Sequence, residues 1–222
     1  MLNILKIFQF ALLLWYVNNS LKQITFAAQN AYMHRLAIFA SGEGTNAQKF
    51  IKYFKGRDDI IISLIVCNKK EAGVINKAKG AGIPYLIVDR DSFYNTNRVL
   101  DELIEKADFI TLAGFLWMIP ENIIKAFAGK MVNIHPALLP KYGGKGMYGA
   151  KVHEAVIANH EKESGITIHY VNDKYDDGKI IFQAKCPVEV TDTSESLAEK
   201  VHELEYNFYP MIVDKLLHEN IS

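Results

Sequence analysis

From His34 onward the hydrophobic positions fall into short runs separated by amphipathic stretches. Runs at residues 36–39, 60–66, 85–88, 109–112 and 131–134 read as buried strands, because a strand covered on both faces need not alternate apolar and polar residues. Between them, residues 46–54, 73–79, 96–106 and 121–127 suit helices. Strands alternating with helices imply βαβ units, hence a mostly parallel sheet with right-handed crossovers. After residue 148 the order changes. Residues 151–159 read as a helix, and residues 165–171 and 180–190 as two strands joined by the polar turn 172–179. A short polar turn predicts an antiparallel hairpin. Residues 194–217 read as a long closing helix with Thr193 or Ser194 as its N-cap. The expected fold is therefore α/β: a Rossmann-like, mostly parallel sheet flanked by helices, with a C-terminal antiparallel hairpin and a long closing helix. No repeat, low-complexity tract or linker interrupts the pattern, and 222 residues suffice for one domain with a substantial core.

Composition narrows the function classes. With 50% hydrophobic and 23% charged residues the chain is globular, which excludes disordered and fibrous classes. The balance of 25 basic against 25 acidic side chains argues against a dominant surface for nucleic acid or anionic membrane. Cys67 and Cys186 lie far apart, so neither a disulfide scaffold nor a cysteine zinc site is indicated, although seven histidines leave a histidine site open by count. Residues 1–33 stand apart. They carry Lys6 and Lys22, no acid, and an apolar run from Ile7 to Val17 broken only by Gln9. A basic residue, an apolar run and small residues at Ala27 and Ala28 outline a secretory signal, while the run is short for a membrane span. Met33, however, directly precedes the first strand. The expectation is that residues 1–33 form an N-terminal extension outside a catalytic domain of residues 34–222, with a signal, an anchor or a packed helix as alternatives.

Two segments carry candidate chemistry. The first strand runs into Ser41-Gly42-Glu43-Gly44-Thr45-Asn46. A glycine-rich strand-to-helix turn leaves backbone N–H groups free at a helix N-terminus, which suits a phosphate. Gly42, Gly44 and Ala47 also fit the loose dinucleotide fingerprint, which expects an acid at the end of the second strand. That strand ends Val66-Cys67-Asn68-Lys69, so a nicotinamide dinucleotide is disfavoured and a phosphate monoester remains. A tight turn needing glycine for its φ angles would account for the same residues without a ligand.

The stronger segment is Asn133-Ile134-His135-Pro136-Ala137-Leu138-Leu139-Pro140. Side chains two apart on a strand share a face, so Asn133 and His135 point together at the C-terminal edge of the sheet, where open α/β sheets bind ligands. An amide donor can stabilise an oxyanion, and an imidazole can move a proton near neutral pH. A carboxylate beside His135 would favour the imidazolium and raise its pKa. The turn before Gly178 offers Asp173, Asp176 and Asp177, and spacing does not choose among them.

Together these segments resemble the folate-dependent formyltransferase family. The resemblance covers residues 34 to about 217: Ile38 through Asn46, Leu112-Ala113-Gly114-Phe115, Asn133 through Tyr142, His169 through Asp173, Asp176-Asp177-Gly178, Gln183-Ala184-Lys185, Glu205 and Tyr209-Pro210. It implies formyl transfer from 10-formyltetrahydrofolate, as co-substrate, to the amine of glycinamide ribonucleotide in purine biosynthesis, with no metal. By position it implies Asn133, His135 and Asp176 as the catalytic set. Gly44, Thr45, Asn46, Pro136, His202 and Glu205 match ribonucleotide contacts, Glu205 at the glycinamide end. Leu116, Trp117, Met118 and Ile119 match one wall of the pterin cleft, and Val171, Asn172, Asp173, Lys174 and Tyr175 the other. Trp117 stands where many members carry Arg, Asp177 where Gly is frequent and His202 where Gln is frequent. The segment 143–149 replaces a shorter loop. The implied setting is cytoplasmic, the partners are small molecules with no nucleic acid and no membrane, and the assembly is a monomer or dimer. Methionyl-tRNA formyltransferase and formyltetrahydrofolate hydrolase are the alternatives within the family, and a nicotinamide-dependent dehydrogenase is a remote one outside it. The absence of a basic excess argues against a tRNA substrate.

Overall fold

The computed structural model describes residues 33–219; the expectation for the N-terminal extension falls, Met33 apart, outside the described residues. Seven strands, β1 (His34–Phe39), β2 (Ile60–Cys67), β3 (Tyr85–Ile87), β4 (Phe109–Leu112), β5 (Met131–His135), β6 (Glu163–Tyr170) and β7 (Ile180–Pro187), form one sheet in the order β3-β2-β1-β4-β5-β6-β7. Strands β1 to β5 are parallel, and β6 pairs antiparallel with both β5 and β7. The helices are α1 (Thr45–Tyr53), α2 (Gly73–Ala81), α3 (Arg90–Tyr94), α4 (Arg98–Lys106), α5 (Glu121–Ala126), α6 (Ala150–Ala158) and α7 (Ser194–Glu219).

The apolar runs are continuous because both faces of the sheet are covered. In β1, Leu36 and Ile38 pack with Phe50 of α1, Val74 of α2 and Val201, Tyr209 and Val213 of α7. The alternate residues Ala37 and Phe39 pack on the other face with Phe93 of α3, Val99 and Leu103 of α4 and Ile123 of α5. Two local expectations change. β3 is not buried: it lies at the sheet edge with β2 as its one partner, and Tyr85 and Ile87 are exposed. Helix α3 falls in a stretch to which the sequence pattern assigns no element. A reciprocal cap creates it, with the Ser92 amide donating to Asp89 Oδ1 at 2.8 Å and the Asp89 amide donating to Ser92 Oγ at 3.3 Å. Thr193 is the cap of α7, accepting from the Ser196 amide at 3.3 Å while its own amide donates to Ser196 Oγ at 3.0 Å. Among the described residues no helix is long and apolar enough to cross a membrane.

The sheet winds outward in both directions from β1, so the crossovers diverge between β1 and β4 and open a crevice at their C-terminal ends. The loops leaving these strands are tied together: the Ser41 amide donates to the Gly114 carbonyl at 3.0 Å, and the Leu116 amide donates to Ser41 Oγ at 2.9 Å. β5 ends beside them, which brings Asn133 and His135 to the same edge.

Candidate active site

Strand register builds the centre. Asn133 and His135 stand opposite His169 and Thr167 of β6. Asn133 Nδ2 lies 3.1 Å from His169 Nε2, while His169 Nδ1 lies 2.9 Å from the Tyr170 carbonyl. A carbonyl only accepts, so Nδ1 carries the proton and Nε2 receives the Asn133 amide N–H. That fixes the amide orientation and leaves its second N–H for a ligand. His169 lies in a segment that carries the family resemblance but has no site role in the sequence reading; its alternation with Thr167 between Ile166 and Ile168 was the available signal.

Of the three turn aspartates the fold selects Asp176. Its Oδ2 lies 3.5 Å from His135 Nδ1 and its Oδ1 3.7 Å from His169 Nε2, so the carboxylate faces both rings. Gly144 N–H donates to Oδ2 at 2.9 Å. Asp173 is exposed, and Asp177 points outward toward Lys174 at 3.7 Å. Asp176 sits at φ 53°, in the left-handed region, and a side chain on Gly143 would collide with Leu139 and crowd Asp176. The glycine-rich segment 143–149 therefore packs against the acid, its backbone serving as an anion holder.

Electrostatics correct one expectation. His135 is 3% exposed, and burial lowers its pKa below the ordinary imidazole value. Asp176 and the Tyr142 carbonyl pull it upward, but burial prevails, so the imidazole is not held protonated as expected. His135 Nε2 lies 2.7 Å from that carbonyl and therefore carries the ring proton. Burial pushes the Asp176 carboxyl up, yet the acid lies below the usual carboxylate range, with the Gly144 N–H donating to its Oδ2. The resting pair is neutral imidazole and carboxylate.

The loop leaving β5 is pinned by Thr167, whose hydroxyl donates to the Ala137 carbonyl at 2.6 Å and accepts from the Leu139 amide at 3.0 Å and Gln183 Nε2 at 2.8 Å. Pro136 lies half-buried within it.

The glycine loop enters α1 beside this centre. Gly44 has φ 70°, and a Cβ there would come within 2.5 Å of Val74, so both conformation and space demand glycine. Thr45 is exposed at the helix start, and no acid occupies the first turn. Asn46 is buried and donates from Nδ2 to Glu205 Oε2 at 2.8 Å, leaving its Oδ1 without a hydrogen bond. Burial pushes the Glu205 carboxyl up to about 7, the Asn46 hydrogen bond only partly offsetting it. His202 lies one turn before Glu205 on α7, exposed, stacked on Tyr206 with ring centroids 6.0 Å apart. Buried His153 of α6, not singled out from sequence, meets His202 edge-on at 6.4 Å and has an unpaired Nδ1.

The folate-assigned residues form two groups. Leu116 and Met118 are exposed, Trp117 is half-buried among Phe93, Tyr94 and Phe115, and Ile119 is buried in the core behind them. Opposite, Val171 packs on the same core and its amide donates to the Met131 carbonyl at 3.0 Å. Asn172 Oδ1 accepts from the Lys174 amide at 3.0 Å, which turns the chain, and Asp173, Lys174 and Tyr175 face outward. Among the described residues no group of three or more His, Cys, Asp or Glu could hold a metal ion.

Comparison with known proteins identifies the family. The sequence model of the Formyl transferase family matches residues 34–213. The chain is 39% identical over 198 residues to the chloroplastic phosphoribosylglycinamide formyltransferase of Arabidopsis thaliana, an alignment covering 85% of this chain and 67% of that one. It is 34% identical to the phosphoribosylglycinamide formyltransferase of Bacillus subtilis (strain 168), covering 85% of this chain and 97% of the relative. The crystal structure of phosphoribosylglycinamide formyltransferase from Anaplasma phagocytophilum superposes with a TM-score of 0.76 at 32% identity, covering 84% of this chain and 88% of that one. The chain belongs to the formyl transferase family.

Proposed function

We propose that the protein is a phosphoribosylglycinamide formyltransferase: it moves the formyl group of 10-formyltetrahydrofolate to the amine of glycinamide ribonucleotide, giving formylglycinamide ribonucleotide and tetrahydrofolate in purine biosynthesis. The observation that carries this is the convergence of Asn133, His135 and Asp176 at one sheet edge, beside a phosphate-type loop whose Asn46 touches Glu205.

In this reading Gly44, Thr45 and Asn46 present backbone N–H groups to the phosphate at the α1 N-terminus, with Pro136 and His202 beside the nucleotide. Glu205 meets the glycinamide end. The pterin lies between Leu116–Ile119 and Val171–Tyr175. The amine attacks the formyl carbon, and the oxyanion that forms accepts the free N–H of Asn133. Losing one such donor typically costs about 10²–10³ in kcat. His135, neutral at rest, takes up the proton shed by the attacking nitrogen through its Nδ1 side, and Asp176 stabilises the imidazolium. The proton then passes to the departing folate nitrogen as the carbon–nitrogen bond breaks. The 3.5 Å gap between His135 and Asp176 exceeds a direct hydrogen bond, so the pairing is electrostatic until substrates arrive. Holding both substrates in attack geometry supplies much of the remaining acceleration, and no step calls for a metal. The working form is a monomer or dimer in the cytoplasm, acting on small molecules and not on nucleic acid or membranes; cell fractionation separates this from an organellar location such as the plant relative's name indicates.

The test is direct: the protein is mixed with glycinamide ribonucleotide and 10-formyltetrahydrofolate, and tetrahydrofolate release is followed spectroscopically. Turnover that requires both substrates supports the reading. Hydrolysis without the ribonucleotide, or formylation of methionyl-tRNA, would replace it.

A further inference from the structure

One buried hydroxyl beneath the candidate site joins three elements. Tyr209 of α7 is fully buried, and its ring packs edge-on against Phe50 of α1 with centroids 5.1 Å apart and planes at 81°. The Thr111 hydroxyl of β4 donates to the phenol oxygen. The single phenolic proton faces the Leu112 carbonyl of β4 at 2.8 Å and the Val132 carbonyl of β5 at 3.3 Å. Burial pushes the phenol far above its ordinary pKa, so it stays a donor. Among the described residues no other side chain of α7 makes a hydrogen bond to β4 or β5.

Each of these contacts adjoins a residue of the site. The Val132 carbonyl belongs to the peptide that enters Asn133, and the Leu112 carbonyl to the peptide that opens the loop leading to Leu116–Ile119. Tyr209 stands one turn after Glu205, so the two project from the same face of α7. Pro210 follows and has no N–H, so the helix lacks the hydrogen bond that would otherwise close on the Tyr206 carbonyl. The phenol therefore anchors α7 to the sheet where its own ladder is interrupted.

We propose that Tyr209 is a positioning residue for formyl transfer: by tying α7 to the ends of β4 and β5, it sets the spacing among Glu205, Asn133 and the 116–119 wall. The inference rests on the functional reading above and goes beyond it, because Tyr209 touches neither substrate. In that reading the ribonucleotide is held by α1 and α7, and the pterin by the loops after β4 and β6. An error in their relative placement acts on the chemical step rather than on the binding of either one alone.

The test sets the wild type beside Tyr209→Phe, Thr111→Val and the double variant. Tyr209→Phe keeps the ring and deletes the tie, so kcat should fall by about tenfold, the order of a sub-ångström error in attack geometry. Calorimetric Kd values for glycinamide ribonucleotide alone and for 10-formyltetrahydrofolate alone should not move. The urea midpoint of Tyr209→Phe should drop, because the Thr111 hydroxyl loses its acceptor in a buried site. The double variant replaces both partners by apolar groups of similar shape, so it should regain most of the midpoint while kcat stays low. Thr111→Val alone leaves the phenol on its carbonyls and should keep kcat. Wild-type kcat in Tyr209→Phe overturns the proposal. A double variant that regains kcat together with its midpoint also overturns it, since the phenol would then act through stability alone; the double variant decides if Tyr209→Phe does not fold. No formyl transfer by the wild type removes the functional reading and this inference with it, whereas wild-type transfer with unaltered kcat in the variants removes this inference alone.

Discussion

Glu205 is the buried acid whose removal gives the most diagnostic result. It is 6% exposed and its one described hydrogen bond comes from Asn46, so ionising it in place is costly. A carboxyl moved from 4.5 to about 7 separates its two protonation states by about 3 kcal/mol. The folded form binds the proton more tightly than the unfolded form. Below pH 4.5 both states are protonated and nothing is lost; as pH rises to about 7 the folded state gives up that advantage, and above it the full penalty applies. Glu205→Gln removes the ionisation and keeps an oxygen to accept from Asn46. Its extra amide must find a partner, a cost that does not vary with pH. Urea unfolding of both proteins at pH 5, 6, 7 and 8 should therefore show the stability difference moving in favour of the variant by up to about 3 kcal/mol from the lowest to the highest pH. The buried imidazoles titrate alike in both proteins and cancel in the difference. Meanwhile KM for glycinamide ribonucleotide should rise in the variant under the proposed role of Glu205, because a neutral amide would replace the carboxylate proposed to meet the amine. A difference constant across pH would refute the argument that burial controls this acid.

Other changes test the remaining parts. Asp176→Asn should leave the unfolding midpoint within about 1 kcal/mol in stability while cutting kcat by at least about 100-fold, since the imidazolium loses its counter-charge; normal turnover in the purified variant excludes that role. Asn46→Asp sets a second carboxylate against Glu205 and beside the phosphate, so KM for the ribonucleotide should rise by about tenfold or more, with stability lower at pH 8 than at pH 5 relative to the wild type; an unchanged KM counts against the phosphate loop. Thr167→Val strips three hydrogen bonds from a fully buried site and should cost about 2–4 kcal/mol in denaturant titration, lowering kcat because the loop after His135 loosens.

The strands were legible because burial on both faces writes itself as uninterrupted apolar runs, and the Asn133–His135 pairing because strand period fixes side-chain direction. The exposed edge strand β3 shows the limit of that signal: its apolar residues resemble those of an interior strand, and only sheet order reveals that one side is unpartnered. Helix α3 was missed because five residues are too few to show a helical period, although Asp89 followed by Ser92 three positions later was a readable cap. The protonation of His135 was unreadable in principle. The resemblance implied a carboxylate beside it, but the sign of the pKa shift is a contest between that charge and burial, and burial is known only when the β5–β6 pair and the turn at Tyr142 close around the ring.

Selection of Asp176 shows how a turn decides chemistry. β6 runs back along β5, so a minimal hairpin would deliver the connection beyond Asn133 and away from His135. The chain from Val171 to Lys179 instead folds over the sheet face, with the Tyr170 amide donating to the Lys179 carbonyl at 3.0 Å to close its base. Such a return forces the backbone close to itself: a Cβ at Gly178 would lie 1.6 Å from the Tyr170 carbonyl oxygen, so glycine there is obligatory. Just before it, the left-handed φ of Asp176, a conformation Asp tolerates better than most residues, aims the carboxylate inward while Asp177 turns to solvent. The Asp-Asp-Gly sequence thus encodes a geometry before it encodes an acid. Two adjacent aspartates acquire opposite environments, one facing two buried imidazoles and one left at the surface, because a single glycine lets the strand ends meet.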